Sequence, residues 1–409
     1  MYDLLKRKIG GMEAEIIEFV SHLVKCPSPS FEENRVADMV EEKMKELDYD
    51  YVLRDEAGNV IGIIYGREAN PSLLINAHMD VADSTIDGWE FDLYAGDILK
   101  GQLRGLGASD CKSGVAAAVY AGAAIRNSIL PLKGNLIVAA TVGEESGYSY
   151  GIRYLMEKTL SSLNIKPEYA IMAEPTNLAI YRGHSGWVRF EIVIHGNDHF
   201  VVSDATKNIF EELNKSRVRR INDEEMENFC IEKPVFDFSH NFQRGVISVN
   251  KRLMNGESIT TAKTELRKYA DVVATNSFCG VDVEIAQPET RRKLMISNIA
   301  SANASVEAWS IDAYHPLVER ARQIILLIGE RPLVAKWKLP RAGMGTAGGV
   351  LVKDFNIPTI GYGPGIEENC HVANESVPVD NIIRATFGIS SISYGLIGIP
   401  VCGWTSDEI

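Results

Sequence analysis

The chain has 409 residues, of which 45% are hydrophobic and 24% are charged, and its formal net charge is −13. This length and composition are typical of a soluble globular protein with two domains. The acidic balance argues against nucleic-acid binding, which needs patches of Lys and Arg, and no apolar run reaches the roughly 18 residues of a membrane span.

Six cysteines are scattered along the chain without a Cys-x-x-Cys pair. This pattern favours neither a disulfide framework nor a zinc knuckle, so we expect a reduced, cytoplasmic compartment. Residues 1–11 are charged and lack an apolar segment, and we therefore expect no signal peptide.

The first part of the chain predicts two helices followed by buried strands. Apolar residues at helical spacing indicate a helix over Met12–Val24, which Pro27-Ser-Pro29 ends. Ser30-Phe-Glu-Glu33 has the form of a capping box, with which a second amphipathic helix would begin. Two apolar strands are predicted next, one over Val60–Tyr65 and one from Leu73.

The strand from Leu73 ends in His78-Met-Asp80. Alternation along a strand puts both polar side chains on one side, at the end where open α/β sheets collect ligands. A histidine followed at i+2 by a carboxylate suits a metal ligand and the group that orients it. Taken alone, the pair is weak evidence, because His-x-Asp occurs by chance and an ordinary surface loop explains it more often than a metal site does.

Further acidic residues follow other predicted strands or turns. They are Asp110 in a glycine-rich turn before the apolar helix Val115–Ile125, Glu144 and Glu145 after the strand Asn135–Val142, and Glu174 after the strand Tyr169–Met172. Strands that alternate with helices, with polar groups just past the strand ends, predict a largely parallel α/β sheet.

The pattern changes after about residue 184. We expect an inserted α+β domain over residues 185–305, between two parts of an α/β domain, residues 1–184 and 306–409.

Within the inserted block, Val188–His195 alternates as a half-exposed strand does. A charged helix is predicted through about Asn228, with the basic run Lys215–Arg220 as a solvated face. Val246–Asn250 and Val281–Ile285 resemble strands.

In the last part, His315–Ile328 predicts a helix, Ile357–Tyr362 a strand and Ile382–Leu396 a closing helix, with His371 between the last two. Gly343–Gly348 matches the dinucleotide fingerprint, but it does not open a βαβ unit. A nicotinamide-dependent enzyme would rest on this motif alone.

The polar groups at these strand ends suit a pair of metal ions. Two imidazoles and three carboxylates can hold two Zn²⁺ ions if one carboxylate bridges them. One further carboxylate must stay free to accept a proton from water. The available side chains are His78, Asp110, Glu144, Glu145, Glu174 and His371.

The chain resembles the di-zinc aminoacylases and carboxypeptidases, which include acetylornithine deacetylase, succinyl-diaminopimelate desuccinylase and carboxypeptidase G. The motifs that carry the resemblance are His78-Met-Asp80, Gly107-Ala-Ser-Asp110, Glu144-Glu145-Ser-Gly147, Ala173-Glu-Pro-Thr176, and Gly363-Pro-Gly365 followed by His371 and Glu375. Tyr181-Arg-Gly-His-Ser-Gly186 is most similar to the subgroup of selenium-metabolism-linked hydrolases. The resemblance implies a mainly parallel α/β catalytic domain with an inserted lid and dimerisation domain.

The resemblance also implies roles for single residues. Asp110 would bridge the two ions, with His78 and Glu174 on one ion and Glu145 and His371 on the other. Asp80 would hydrogen-bond His78 and fix its tautomer, and Glu144 would be the general base. His199 in the lid would reach the site of a partner subunit and bind the oxyanion of the tetrahedral intermediate.

The activity implied is hydrolysis of the amide bond of an N-acyl amino acid or a dipeptide by a cytoplasmic homodimer, a deacylase, dipeptidase or carboxypeptidase. Co²⁺ or Mn²⁺ could replace Zn²⁺, since such sites select weakly between these ions.

Two departures from the family pattern favour an alternative. No arginine follows Asp271, where the family has one for a substrate carboxylate, and the segment after His199 is altered. The alternative is a catalytically silent, metal-binding relative that acts as a dimeric binding protein. Separately from this alternative, His199 has the interpretation of an ordinary exposed histidine of the lid.

Overall fold

The structure, a computed structural model, describes residues 1–82, 86–221, 224–238, 243–277, 280–293, 299–303, 305–340 and 344–400. The helices within these ranges are α1 (Tyr2–Lys25), α2 (Asn34–Glu46), α3 (Ser113–Ser128), α4 (Tyr150–Tyr154), α5 (His199–Lys215), α6 (Ile259–Ser277), α7 (Pro316–Leu327) and α8 (Val379–Ile397). Within the same ranges, no helix has both the length and the apolar composition for crossing a bilayer.

The strands fall into a central sheet, a second sheet and short hairpins. The first eleven are β1 (Tyr51–Arg54), β2 (Val60–Ile64), β3 (Leu73–His78), β4 (Asp97–Leu99), β5 (Gln102–Arg104), β6 (Leu136–Thr141), β7 (Tyr169–Met172), β8 (Ile180–His184), β9 (Gly186–Gly196), β10 (Val218–Ile221) and β11 (Glu224–Glu227). The others are β12 (Phe229–Ile231), β13 (Val235–Asp237), β14 (Gln243–Leu253), β15 (Val281–Ala286), β16 (Glu289–Lys293), β17 (Ile299–Asn303), β18 (Ser305–Val306), β19 (Trp309–Ser310), β20 (Val334–Trp337), β21 (Thr359–Gly361) and β22 (Ser376–Pro378).

The central sheet has the order β1-β2-β6-β3-β7-β21-β8-β19, with β20 beside β8. Its middle strands β6, β3, β7 and β21 are parallel, and the flanking pairs β1–β2, β2–β6, β21–β8 and β8–β19 are antiparallel. Leu73 and Ile75 pack into the core that holds α1, α3 and α8, whereas Leu74 packs into the core on the other face. Because both faces are covered, the strands are continuous apolar runs, as in parallel sheets generally. The predicted α/β class with a mainly parallel sheet is confirmed.

The second sheet has the order β12-β14-β9-β15, with β13 beside β14 and β18 beside β9, and its pairings are antiparallel. Val188, Phe190, Ile192 and Ile194 alternate along β9 and pack into one core with α5 and α6. The strands of this sheet come from residues 186–306. The predicted domain limits at residues 184/185 and 305/306 lie close to this division and stay a prediction.

The prediction of a charged helix through about Asn228 was wrong. Helix α5 ends at Lys215, and β10 and β11 then form a hairpin in which Arg220 lies opposite Glu225. The basic run was therefore not a solvated helix face, because its arginines lie opposite an acidic strand and opposite charges pair across strands.

The predicted capping box before α2 was also wrong. Glu33 occupies the N-cap position, but its side chain makes no capping hydrogen bond. The Ser30 hydroxyl donates instead to Asp80, and a Glu33 carboxylate oxygen accepts the N–H group of Gly143. Tertiary hydrogen bonds across 50 and 110 residues of sequence have replaced the local ones.

Candidate metal centre

The five predicted metal ligands converge at one edge of the central sheet. His78 is the last residue of β3, Glu145 follows β6, and Glu174 follows β7. Because these neighbouring strands are parallel, their carboxyl ends meet there. Asp110 arrives on the turn before α3, and His371 on the loop before β22.

Asp110 lies between two imidazoles. Its Oδ1 is 3.1 Å from Nε2 of His78, and its Oδ2 is 3.4 Å from Nε2 of His371. The two oxygens of one carboxylate therefore face two different histidines, which is the geometry expected of a bridging ligand. The peptide bond between Asp110 and Cys111 is cis.

A second carboxylate completes each half of the cluster. Glu174 Oε2 lies 3.7 Å from Nε2 of His78, and Glu145 Oε1 lies 3.1 Å from Nε2 of His371. The ligand atoms of His78, Asp110, Glu174 and Cys111 lie within 4.8 Å of one another, as do those of Asp110, Glu145 and His371. The Cys111 thiol donates to the main-chain oxygen of Ala173 at 3.3 Å.

An unsatisfied oxygen shows that the donor set fits a metal ion. Glu174 is 2% exposed, and its Oε1 has no hydrogen-bond partner among the described residues. A buried carboxylate oxygen without a partner is costly, and a bound cation removes that cost. Imidazole nitrogens and carboxylate oxygens are the ligands of zinc and similar divalent ions.

The electrostatics of the cluster favour cations. Burial lowers the pKa of His78, but Glu174 and its other acidic neighbours outweigh burial and raise that pKa well above the usual value. The pKa of His371 is raised in the same way, with Glu145 and Asp110 acting against burial. Burial raises the pKa of Glu174 to about 8, against the effect of His78. The raised pKa of Glu174 means that its buried carboxylate is costly to ionise without a cation, and a bound cation would remove that cost.

Glu144 lies beside the cluster. It is 8% exposed, and one of its carboxylate oxygens lies within 4.8 Å of ligand atoms of His78 and Glu145. Burial raises the pKa of Glu144 well above its usual value, with Glu145 and Glu174 adding to the shift and His78 opposing it. A buried carboxyl group with a raised pKa is suited to general acid–base catalysis.

Asp80 contacts both the ring of His78 and the turn that carries Glu144 and Glu145. The nearer acceptor for Nδ1 of His78 is the main-chain oxygen of Asp80 at 2.9 Å, while its Oδ1 is 3.5 Å away. The carboxylate accepts the main-chain N–H groups of Glu144 (3.1 Å) and Glu145 (2.9 Å) and the hydroxyl of Ser30 (2.7 Å). Its carboxylate therefore chiefly holds the Glu144–Glu145 turn, and the tautomer of His78 is fixed through the main chain.

Sequence reasoning missed the residues that support this turn. Ser30 reaches Asp80, and Glu33 Oε1 accepts the N–H group of Gly143 at 2.8 Å. Their spacing in the sequence predicts a local helix cap for both residues. The Pro27-Ser-Pro29 segment before them could have indicated otherwise, since prolines favour an extended loop over a helix start. The turn before Glu144 is thus held from the N-terminal segment.

The remaining predicted residues lie elsewhere. His199 is the exposed first residue of α5, and its ring contacts Phe200 and Phe238. Asp271 lies on α6, where its carboxylate pairs with Arg267. A buried arginine lies instead at Arg252, which is 3% exposed and donates to Ser185 and to main-chain oxygens near residues 227 and 338–339.

The described residues of the dinucleotide motif, 344–348, do not form a phosphate-binding loop. Gly343 lies outside the described residues. A side chain at Gly345 would overlap Val306, and one at Gly348 would overlap the ring of Trp309. Thr346 bonds to the buried ring of His184. The glycines therefore serve close packing.

Comparisons with known proteins show the family and the fold of the chain. The profile of peptidase family M20/M25/M40 matches residues 74–389. The uncharacterized protein YgeY of Escherichia coli (strain K12) is 28% identical over 390 residues, 91% of this chain and 92% of that protein. A succinyl-diaminopimelate desuccinylase of Wolbachia pipientis is 26% identical over 206 residues, 48% of this chain and 51% of the desuccinylase. The YXEP protein of Bacillus subtilis, a dinuclear metal-binding peptidase of the M20 family, shares the fold with a TM-score of 0.67 at 15% identity, over 94% of this chain and 98% of that one.

Proposed function

Because this chain belongs to peptidase family M20/M25/M40, as its motifs predicted, we propose that it uses two Zn²⁺ ions to hydrolyse the amide bond of an N-acyl amino acid or a dipeptide. The chain is a metallohydrolase of amide bonds, and a desuccinylase and a peptidase among its relatives support that reaction class. The two ions, their identity and the substrate are the proposed part. Co²⁺ or Mn²⁺ remain alternatives to Zn²⁺.

The observation that carries the proposal is the position of Asp110. One of its oxygens lies 3.1 Å from His78 and the other 3.4 Å from His371. Under the proposal His78 and Glu174 would hold one ion, Glu145 and His371 would hold the other, and both ions would share Asp110. The unpartnered oxygen of Glu174 supports this arrangement.

The residues of the chain supply the proton transfers. Two divalent cations bound here would polarise the scissile carbonyl and lower the pKa of the attacking water. The Glu144 carboxylate accepts a proton from that water and then donates it to the amine nitrogen as the C–N bond breaks. Asp80 and Ser30 keep the Glu144–Glu145 turn in place during both transfers.

We also propose that the chain forms a homodimer through the second sheet and its helices. Phe200 is 70% exposed and Phe238 is 43% exposed, and both rings contact His199. Exposed aromatic clusters favour burial against a partner. A change of Phe200 to Asp would shift the protein to monomers in sedimentation if this surface is the interface. His199 would then act in the partner's site.

The test of the function is metal analysis together with an activity panel. We expect about two zinc ions per chain after purification in zinc-containing buffer, as a dinuclear site requires. We expect chelator-sensitive hydrolysis of at least one acetyl-, succinyl- or dipeptide substrate. Two bound ions with no turnover on the panel would favour the catalytically silent relative instead.

A further inference from the structure

Glu375 is a buried acidic residue outside the proposed ligand set. It is 1% exposed and lies four residues after His371. Its Oε1 accepts the main-chain N–H groups of Ser109 (2.7 Å) and Asp110 (2.9 Å), and its Oε2 accepts that of Gly107 (3.0 Å). A single side chain therefore holds three donors of the turn that presents Asp110.

The segment around Glu375 contacts the same turn at further points. The main-chain oxygen of Glu375 accepts the N–H group of Gly105 at 3.1 Å. The Ser109 hydroxyl donates to the oxygen of Ile366 (3.0 Å) and accepts its N–H group (2.7 Å). A side chain at Gly365 would overlap the main-chain oxygen of Ser109. Residues 365–375 and the turn before Asp110 thus form one closely packed unit.

That unit contains two of the three ligands proposed for the second ion, namely His371 and Asp110. Residues 365–375 include His371, and the turn they hold carries Asp110, whose Oδ2 lies 3.4 Å from the His371 ring. The hydrogen bonds of Glu375 therefore set the position of one proposed ligand relative to the other. A carboxylate can accept all three N–H groups because both of its oxygens are acceptors, whereas a carboxamide would turn an NH₂ group toward at least one of them.

We propose that Glu375 is a positioning residue of the metal centre, which holds the bridging carboxylate of Asp110 and the imidazole of His371 at the separation that a second ion needs. This inference rests on the proposed di-metal function. It assigns to Glu375 an effect on metal affinity in addition to its contribution to folding.

The experiment measures zinc binding by the full chain and by Glu375→Gln, with free zinc set by buffers and bound zinc determined by elemental analysis. For the wild type we expect two ions. For Glu375→Gln we expect one ion to bind about 10–100-fold more weakly, the usual effect of losing a group that orients metal ligands. The ion on His78 and Glu174 should lose less affinity, because it shares Asp110 but its imidazole is not on the segment that carries Glu375.

Asp55 supplies the matched control. It is 9% exposed, and its Oδ1 accepts three main-chain N–H groups, those of Ala57 (3.0 Å), Gly58 (3.1 Å) and Asn59 (3.0 Å). Its turn carries none of the proposed ligands, although Asn59 of that turn accepts the N–H group of Val142 (3.1 Å), so the control also includes an indirect contact to the strand before Glu144. Asp55→Asn should lower the midpoint of thermal unfolding in the presence of chelator, as Glu375→Gln should, but it should leave both zinc affinities unchanged.

Glu375→Asp keeps the test decisive if Glu375→Gln does not fold. The shorter carboxylate keeps the charge but cannot reach all three donors, so we expect a weaker second ion. Unchanged zinc affinities in the variants that fold would overturn the proposal, and so would an equal loss in Asp55→Asn. A wild type that binds fewer than two ions would refute the di-metal function instead, and the two failures are therefore distinguishable.

Discussion

His371 and Glu145 lie 226 residues apart in the sequence, yet Nε2 of the first is 3.1 Å from Oε1 of the second. The other proposed ligands are distant from both residues in the sequence and lie on other helices, strands or loops. The pair forms because the loop before β22 folds back over the carboxyl end of β6. The second half of the metal centre therefore depends on long-range packing.

Replacement of His371 by Ala tests that half of the centre. The ion held by Glu145 and Asp110 would lose its imidazole, whereas the set of His78, Asp110 and Glu174 would stay complete. We expect the zinc content to fall from about two to about one per chain, with turnover lost, since a dinuclear site needs both ions. Elemental analysis after dialysis measures this. His22→Ala, at an exposed position of α1, should retain both ions. Retention of two ions in His371→Ala would remove it as a ligand.

The role of Glu144 predicts a loss of turnover without a loss of metal. Glu144→Gln has nearly the same shape and cannot accept the proton of the attacking water. We expect kcat to fall by about 10²–10⁴-fold, the usual contribution of general acid–base catalysis, with about two zinc ions retained. Glu157→Gln, an exposed position, is the control. Wild-type kcat in Glu144→Gln would exclude it as the base, and a loss of zinc would assign it to the ligand set.

The sequence predicted the parts of the site that depend on local periodicity. The apolar run from Leu73 placed His78 at the carboxyl end of β3, and the apolar runs before Glu145 and Glu174 located two further strand ends. His371 lies in a loop with φ of 54°, where no periodicity operates. It entered the predicted set as a histidine of the C-terminal segment, and the motif resemblance supplied its role as a ligand.

The supporting residues could not be predicted because their sequence pattern also fits a local structure. Ser30 and Glu33 have the spacing of a capping box, and only the folded chain shows that they contact Asp80 and Gly143. Likewise, sequence does not determine which oxygen of Asp80 reaches His78. That choice depends on the competing N–H groups of the Glu144–Glu145 turn.

Ser30→Ala tests the contact that supports this turn. The variant removes a hydroxyl that donates to Asp80 Oδ2 at 2.7 Å and leaves the carboxylate with its two main-chain donors. Hydrogen bonds to charged groups contribute about 1.5–3 kcal/mol, so we expect a loss of stability up to that size. We also expect lower kcat with unchanged zinc content, because Glu144 would be less well positioned.

The matched control for Ser30→Ala is Ser72→Ala. The Ser72 hydroxyl also makes a 2.7 Å hydrogen bond, to the main-chain oxygen of Ala69, at the opposite end of β3 from His78. The Ser72→Ala variant should be less stable than the wild type but should keep the wild-type kcat. If both variants lose kcat equally, the contact between Ser30 and Asp80 has no specific effect on the site.

His184 predicts a pH dependence of stability that is separate from the metal centre. Burial lowers the pKa of His184 to about 4 from its usual value of 6.5. Its Nδ1 donates to the oxygen of Ser185 (2.6 Å), and its Nε2 accepts the N–H groups of Trp309 (2.8 Å) and Thr346 (3.0 Å). The folded chain therefore favours the neutral ring.

The unfolded chain takes up a proton at His184 below pH 6.5, and the folded chain does so only below about pH 4. The free energy of unfolding should therefore fall as the pH falls through this window, by about 3 kcal/mol at 1.36 kcal/mol per pKa unit, with no further loss from this group below it. In His184→Gln this loss should be absent, although the variant is less stable at pH 7. Urea unfolding of both proteins in chelator at pH 7, 6 and 5 measures the difference, because the metal-ligand residues titrate equally in both. We expect that difference to shrink steadily with falling pH, and a constant difference would mean that the His184 ring is charged in the folded chain.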